Sequence, residues 1–236
     1  MSTMKIQEDI FLAKEGDAWY RRNIHGLSPA VREDDDELAL IRSERLRPRH
    51  VLEVGASNGW RLESIRRYRP RAHYVGIEPS REAVAAGKKK YPKLILKRGV
   101  AAHLPFSDSA FDLVLTVFVF HWVSRDKLLK SVAEIDRVLA DGGHLIVSDF
   151  YSNVPRKNQY RHRKGVFTWK TDYGALFEAS GNYMRVKRVV TKYRTGGVST
   201  ATGQSSTTRP PEDLLTVMTL YKKKLGIGYI KGTYKK

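Results

Sequence analysis

Four short stretches of this 236-residue sequence carry residue types that could do chemistry together. The first, VLEVGASNGW (51–60), brackets a turn between Gly55 and Gly59. Glycine there lets the backbone bend sharply and approach a ligand closely. The loop G-A-S-N-G lacks the G-x-G-x-x-G that seats a pyrophosphate on a helix N-terminus. Glu53, just before the turn, would repel phosphate and suits a ligand bearing an amine and a sulfonium. The second stretch, GIEPS (76–80), puts Glu78 and Pro79 at a strand end, where a carboxylate accepts hydrogen bonds from ribose hydroxyls. The third and fourth hold His121 and Asp149, candidate general bases for drawing a proton from a hydroxyl or amine. Tyr160, His162 and Arg163, with Tyr173 further on, form a polar cluster that could hold a substrate, acidic ones included. Each candidate has a structural alternative: a histidine beside Trp122 often simply packs. The absence of cysteine excludes disulfides, a thiol nucleophile and a zinc-thiolate site, and no metal site is expected.

Positioning these residues requires alternating strands and helices. Apolar runs predict strands at His50–Gly55, Tyr74–Glu78, Leu94–Lys97, Phe111–Phe120 and His144–Asp149. Between them, Asn58 should cap a helix ending before Pro70, and Ser80 a helix ending near Gly87. Ser124 should cap a longer helix carrying Leu128, Leu129, Val132, Ile135, Val138 and Leu139, ended by Asp141-Gly142-Gly143. Such alternation implies right-handed crossovers, hence a doubly wound, mainly parallel α/β sheet whose ligands bind beyond the strands' carboxyl ends. Residues 1–47 read as helices, with the acidic run Glu33 to Glu37 opening one of them. Asp172–Ala179 reads as a short helix, and Tyr183–Lys192 and Leu214–Lys222 as strands of an antiparallel edge. GGVSTATGQSSTTRPP between those strands reads as a loop.

The series VLEVGASNG, GIEPS, GVAAHLPF, FDLV and a long helix ending in DGGHLIVSDF resembles the type 11 family of class I S-adenosylmethionine methyltransferases over roughly residues 50–150. The resemblance implies a Rossmann-like seven-stranded fold of one domain: a helical cap over 1–47, a cofactor-binding core over 48–150, and a basic part over 151–236 that completes the sheet. It implies S-adenosylmethionine as cofactor and S-adenosylhomocysteine as product. Gly55, Ala56, Ser57 and Gly59 would then face the methionine and ribose, Glu78 the ribose hydroxyls, Ala101 and Ala102 the adenine, and Phe118 the sulfonium side. Two positions depart from the family pattern: Ser57 replaces the middle glycine, and Val100 replaces a frequent aspartate that holds the adenine amino group. EGDAWYRRN (15–23) is similar to a segment of methylases associated with pseudaminic acid and other surface-sugar pathways, which makes Trp19, Tyr20 and Asn23 candidates for the cofactor's edge.

The net charge of +18 is unevenly placed. Residues 156–236 hold 18 basic and 4 acidic side chains, so +14 of the total lies outside the segment with the motifs. Such a surface attracts polyanions or simply keeps a protein soluble. No secretory signal or membrane span is expected, which is consistent with a cytoplasmic protein. The favoured expectation is methyl transfer to an O or N atom of a small molecule or sugar. The alternatives are an RNA methyltransferase using the basic C-terminal third, with Tyr229 and Tyr234 among its lysines, or a non-catalytic protein that keeps the fold.

Overall fold

The computed structural model describes residues 7–24, 35–192 and 215–224. The Gly/Ser/Thr-rich loop, the start of the acidic run and the tail GIGYIKGTYKK lie outside the described residues. Seven strands form the main sheet: β1 (His50–Val54), β2 (His73–Glu78), β3 (Ile95–Arg98), β4 (Phe111–Val117), β5 (Leu139–Tyr151), β8 (Tyr183–Lys192) and β9 (Leu215–Lys223). Their order is β3-β2-β1-β4-β5-β9-β8. The first five are parallel; β9 runs antiparallel to β5, and β8 to β9. The order therefore reverses between β1 and β4, the place where doubly wound sheets open a crevice.

The composition of each strand follows from its position. Every residue of the central β4 except Asp112 is buried, because helices cover both its faces. One face packs against α3 (Asp36–Ser43), α4 (Trp60–Tyr68) and α5 (Arg81–Lys90) through Leu38, Ile41, Leu62, Ile65 and Val84. The opposite face packs against α6 (Arg125–Val138) and α7 (Gly174–Ala179) through Leu128, Ile135, Val138 and Phe177. Alternate strand residues serve the two layers: Val51 and Val117 one, Leu52 and Val114 the other.

Several sequence expectations need local correction. The helix after β1 is capped by Gly59 at φ +82°, while Asn58 Oδ1 accepts from Trp60 N at 3.3 Å. Helix α5 runs through Gly87 to Lys90: a Cβ on Gly87 would lie 2.3 Å from the Asn58 carbonyl oxygen, so this glycine serves packing and not termination. Helix α6 ends at Val138 and β5 begins at Leu139, with Gly142 at φ +74° inside the strand where its register to β4 shifts. Leu129 lies on the solvent side of α6, 69 % exposed. Strand β4 stops at Val117 because Phe118 turns the chain at φ +55°.

One feature had no sequence forecast. Residues 156–170 form a separate two-stranded ribbon, β6 (Arg156–Gln159) with β7 (Phe167–Lys170). The N-terminal segment comprises α1 (Gln7–Ile10), a π-turn over Phe11–Glu15 and α2 (Gly16–Asn23). It is clasped at both ends. Asp17 Oδ1 accepts from Ser80 Oγ (2.7 Å) and Glu82 N (3.0 Å) at the start of α5. Glu8 accepts from Ser124 N and Oγ at the start of α6, and Gln7 exchanges two bonds with the Phe167 backbone.

Candidate functional site

The bends after β1 and β2 meet. Gly55 N and Ala56 N both donate to the Ile77 carbonyl, at 2.7 and 3.0 Å. Glu78 then joins the two turns: Oε2 accepts from Ser57 N and Oε1 from Ser80 N, each at 2.9 Å. Gly55 stands at φ +76°, and a Cβ there would come within 2.4 Å of Val119, so only glycine fits. Ser57 occupies the left-handed region at φ +50°, a strain of about 1 kcal/mol for a residue with a Cβ. Its hydroxyl is buried without a hydrogen-bond partner. Burial pushes the Glu78 carboxyl up to about 7, against the opposing pull of the two backbone amides.

These bends form one wall of a cleft of about 1350 Å³ at the carboxyl ends of the strands. Gly99 and Val100 continue that wall past β3. The opposite wall follows β4 and comprises Phe118, Val119, His121 and Trp122, with Ser148 and Phe150 from β5. Phe11, Trp19 and Asn23 of the N-terminal segment also line the cleft, as do Val189, Thr191, Thr216 and Met218 of the antiparallel edge.

His121 and Asp149 form a dyad within that wall. His121 Nδ1 lies 2.8 Å from Asp149 Oδ1, and the carboxylate also accepts from His121 N (3.2 Å) and Phe150 N (2.7 Å). An acceptor-only carboxylate at Nδ1 fixes the tautomer and leaves Nε2 as the free base. The imidazole sits among Trp122 (4.8 Å between ring centres), Phe150 (4.9 Å) and Phe118 (6.3 Å). His121 lines the cleft, while Asp149, 1 % exposed, supports it from behind.

A second charged group occupies the α3 side. Arg61 bonds Glu53 (2.7 Å), Asp35 (3.0 Å) and Glu37 (3.2 Å). Burial raises the Glu37 and Glu53 carboxyls even though Arg61 opposes it. Glu53 Oε2 has no partner. Glu53 does not itself line the cleft; Arg61, Asp35, Asp36 and Glu37 do. Nothing in the local sequence linked Asp35 and Glu37 to Glu53, because the link runs through α3 folding back over α4.

The remaining sequence candidates separate clearly. Gly55, Ala56, Ser57, Glu78, Pro79, Phe118, Asn23 and His121 line the cleft. Gly59 turns the chain beneath it, where Leu94 and Leu96 leave no room for a side chain. Ala101 and Ala102 are buried just behind Gly99 and Val100, which hold the wall instead. Tyr20 is buried behind Trp19, with its hydroxyl 3.5 Å from Asn58 Nδ2. None of Tyr160, His162, Arg163 and Tyr173 lines the cleft. Tyr160 stacks edge-on to Trp122 and accepts from Arg22, and Arg163 reaches Glu15, so this group braces the N-terminal helix. His162 is exposed and accepts from Arg161. Tyr173 is a core residue stacked on Phe120, because α7 turns it inward. Among the described residues no group of side chains could hold a metal ion, and no helix is long and apolar enough to cross a membrane.

A Rossmann-like sheet ending in an antiparallel edge, with joined bends and a buried acidic residue after β2, defines a class I methyltransferase fold. Residues 52–147 match the family described as "Methyltransferase domain". The phthiotriol/phenolphthiotriol dimycocerosates methyltransferase of Mycobacterium tuberculosis is 33 % identical over 107 residues, 44 % of this chain and 39 % of that protein. The chain thus aligns with about two fifths of the length of the curated relatives it matches. Among solved structures, the [4+2]-cyclase SpnF superposes with a TM-score of 0.66 at 17 % identity, covering 94 % of this chain and 98 % of that one. The 1,6-didemethyltoxoflavin-N1-methyltransferase of Burkholderia thailandensis, solved with its substrate and S-adenosylhomocysteine, gives 0.60 at 16 % identity, covering 93 % and 87 %. At such identities these two likenesses concern the fold alone.

Proposed function

We propose that this protein is an S-adenosylmethionine-dependent methyltransferase that transfers a methyl group to an O or N atom of a small molecule. The observation that carries the reading is the His121–Asp149 pair at 2.8 Å, set in the same cleft as the joined glycine and Glu78 bends. The residues present fit the cofactor. Glu78 supplies an anionic acceptor for ribose hydroxyls, Ser57 a buried hydroxyl lacking a partner, and Gly55 a backbone bare of side chain. Val100 in place of an acidic side chain leaves Gly99–Val100 as an apolar border for a base. When bound, S-adenosylmethionine supplies a methyl group already activated by its positive sulfur, so the protein need only align and desolvate the nucleophile.

The protein's own part follows from the geometry. Phe118, Trp122 and Phe150 surround His121 with apolar faces that exclude water. Asp149 holds the imidazole so that Nε2 accepts the proton the acceptor must lose, and stabilises the resulting cation. The lining carries the carboxylates of Glu8, Asp35, Asp36, Glu37 and Glu78 against Arg61 and Lys192. That balance favours a neutral or basic acceptor over an acidic one, since an anion would enter against the local field.

Two measurements test the proposal. Calorimetry with S-adenosylhomocysteine should show binding; none at millimolar concentration removes the cofactor assignment and points to a non-catalytic protein. Labelled methyl transfer to a panel of hydroxyl and amine acceptors should then depend on His121. Transfer that survives undiminished in His121→Ala removes the base assignment.

A further inference from the structure

The cleft is acidic, but the ribbon at its rim is strongly basic. Between Arg156 and Lys170 the sequence has six lysines and arginines and no acidic residue. Arg161, His162, Arg163, Lys164 and Gly165 are consecutive and exposed at the ribbon's tip. Arg156 stands opposite Lys170 across the ladder. These charges are held in a fixed shape. Tyr160 N bonds the Val166 carbonyl at 2.9 Å to close the tip, and Gln7 bonds both backbone groups of Phe167. Tyr160 meets Trp122 of the cleft at 4.8 Å, so the ribbon cannot drift from the rim.

We propose that this ribbon is a docking surface for the phosphodiester backbone of a nucleic acid. A held row of exposed cations, Arg161 and Lys164 on either side of an Arg163 that reaches Glu15, supplies the sequence-independent phosphate attraction that dominates such binding. The aromatic rings nearby are already covered, Phe167 by Lys157 at 3.8 Å and Trp169 by Arg125 at 4.7 Å, so base stacking adds nothing and no sequence preference is expected. A lipid surface fits less well. Membrane-binding elements present apolar or aromatic side chains for insertion, whereas the one apolar residue at the tip, Val166, is 0 % exposed. The inference does not depend on methyl transfer, because it concerns the rim and not the cleft.

The test is fluorescence anisotropy of the whole protein with a labelled single-stranded RNA of roughly 20 nucleotides, titrated across salt concentrations. Binding should weaken with salt, with a log–log slope of about −3 if roughly four phosphates are engaged. The double variant Arg161→Glu with Lys164→Glu should lose at least about tenfold in affinity at low salt and flatten the slope by about 1.4. S-adenosylhomocysteine binding measured on the same variant should stay unchanged, which separates a lost surface from a lost fold. Three outcomes overturn the proposal: no RNA binding at low salt, RNA binding indifferent to the double variant, or tip-dependent binding to phosphatidylserine vesicles that exceeds binding to RNA.

Discussion

His121 illustrates how much a single contact decides. Its ring is buried and packed by aromatics, as a structural histidine would be, yet Asp149 fixes its Nδ1 and its edge reaches the cleft. His121→Ala is expected to lower kcat by about 10²–10⁴-fold with cofactor affinity little changed; Asp149→Asn should approach the same loss by disturbing the tautomer. An equal fall in the affinity for S-adenosylhomocysteine would instead assign the pair to structure. Glu78 makes a second residue-scale prediction. Its carboxyl is pushed up to about 7 by burial, so it gains its charge only as pH rises through that value. Affinity for S-adenosylhomocysteine should therefore increase between pH 6 and 8, and Glu78→Gln should weaken binding and remove most of that pH dependence. A wild-type affinity flat over this range would discount the carboxylate as the ribose acceptor.

At the scale of elements, the turns rely on their neighbours. Gly87 lies in the middle of α5, where Gly→Ala ordinarily favours a helix by up to about 1 kcal/mol. Here the added Cβ meets the Asn58 carbonyl oxygen at 2.3 Å, so Gly87→Ala should destabilise the protein by about 1–3 kcal/mol and loosen the bend beside it. Chemical denaturation measures the first effect and cofactor calorimetry the second; a stabilised variant would contradict this account of the packing. The same example shows what a linear sequence conveys. The strand–helix alternation, the bends at Gly55 and Glu78 and the antiparallel partners β8 and β9 were legible, because periodicity and glycine placement are local properties. Gly87 was misjudged as a helix end because its reason lies across space in Asn58 and Leu96. Tyr173 looked like a polar site residue, but α7 turns it onto Phe120. Arg61 and its three carboxylates, and the cleft lining from β8 and β9, depend on pairings between distant segments that no local pattern announces.

For the molecule as a whole, buried carboxyls and a cationic exterior oppose each other. Glu37, Glu53 and Glu78 are all raised by burial, so the folded state holds protons that the unfolded chain releases. Their stabilising contribution is complete below about pH 4.5 and is lost as pH rises toward and through 7. Glu134, drawn down to about 2 chiefly by its Arg137 hydrogen bonds, acts in the opposite sense: its contribution is present above about pH 4.5 and lost below it. Thermal melts should accordingly be highest near pH 5 and fall toward pH 8, with Glu78→Gln flattening the alkaline side; melting temperatures that rise steadily from pH 5 to 8 would refute this. The N-terminal segment has a consequence for turnover. Asp17 anchors it beside the Glu78 bend, while Glu8 and Gln7 anchor it beside Trp122 and the ribbon. If a strap pinned at both ends has to loosen for ligands to pass, entry and exit should follow a compulsory order. Initial-rate kinetics are expected to show S-adenosylhomocysteine competitive against S-adenosylmethionine and non-competitive against the acceptor, the signature of a queue in which the nucleoside arrives first and departs last.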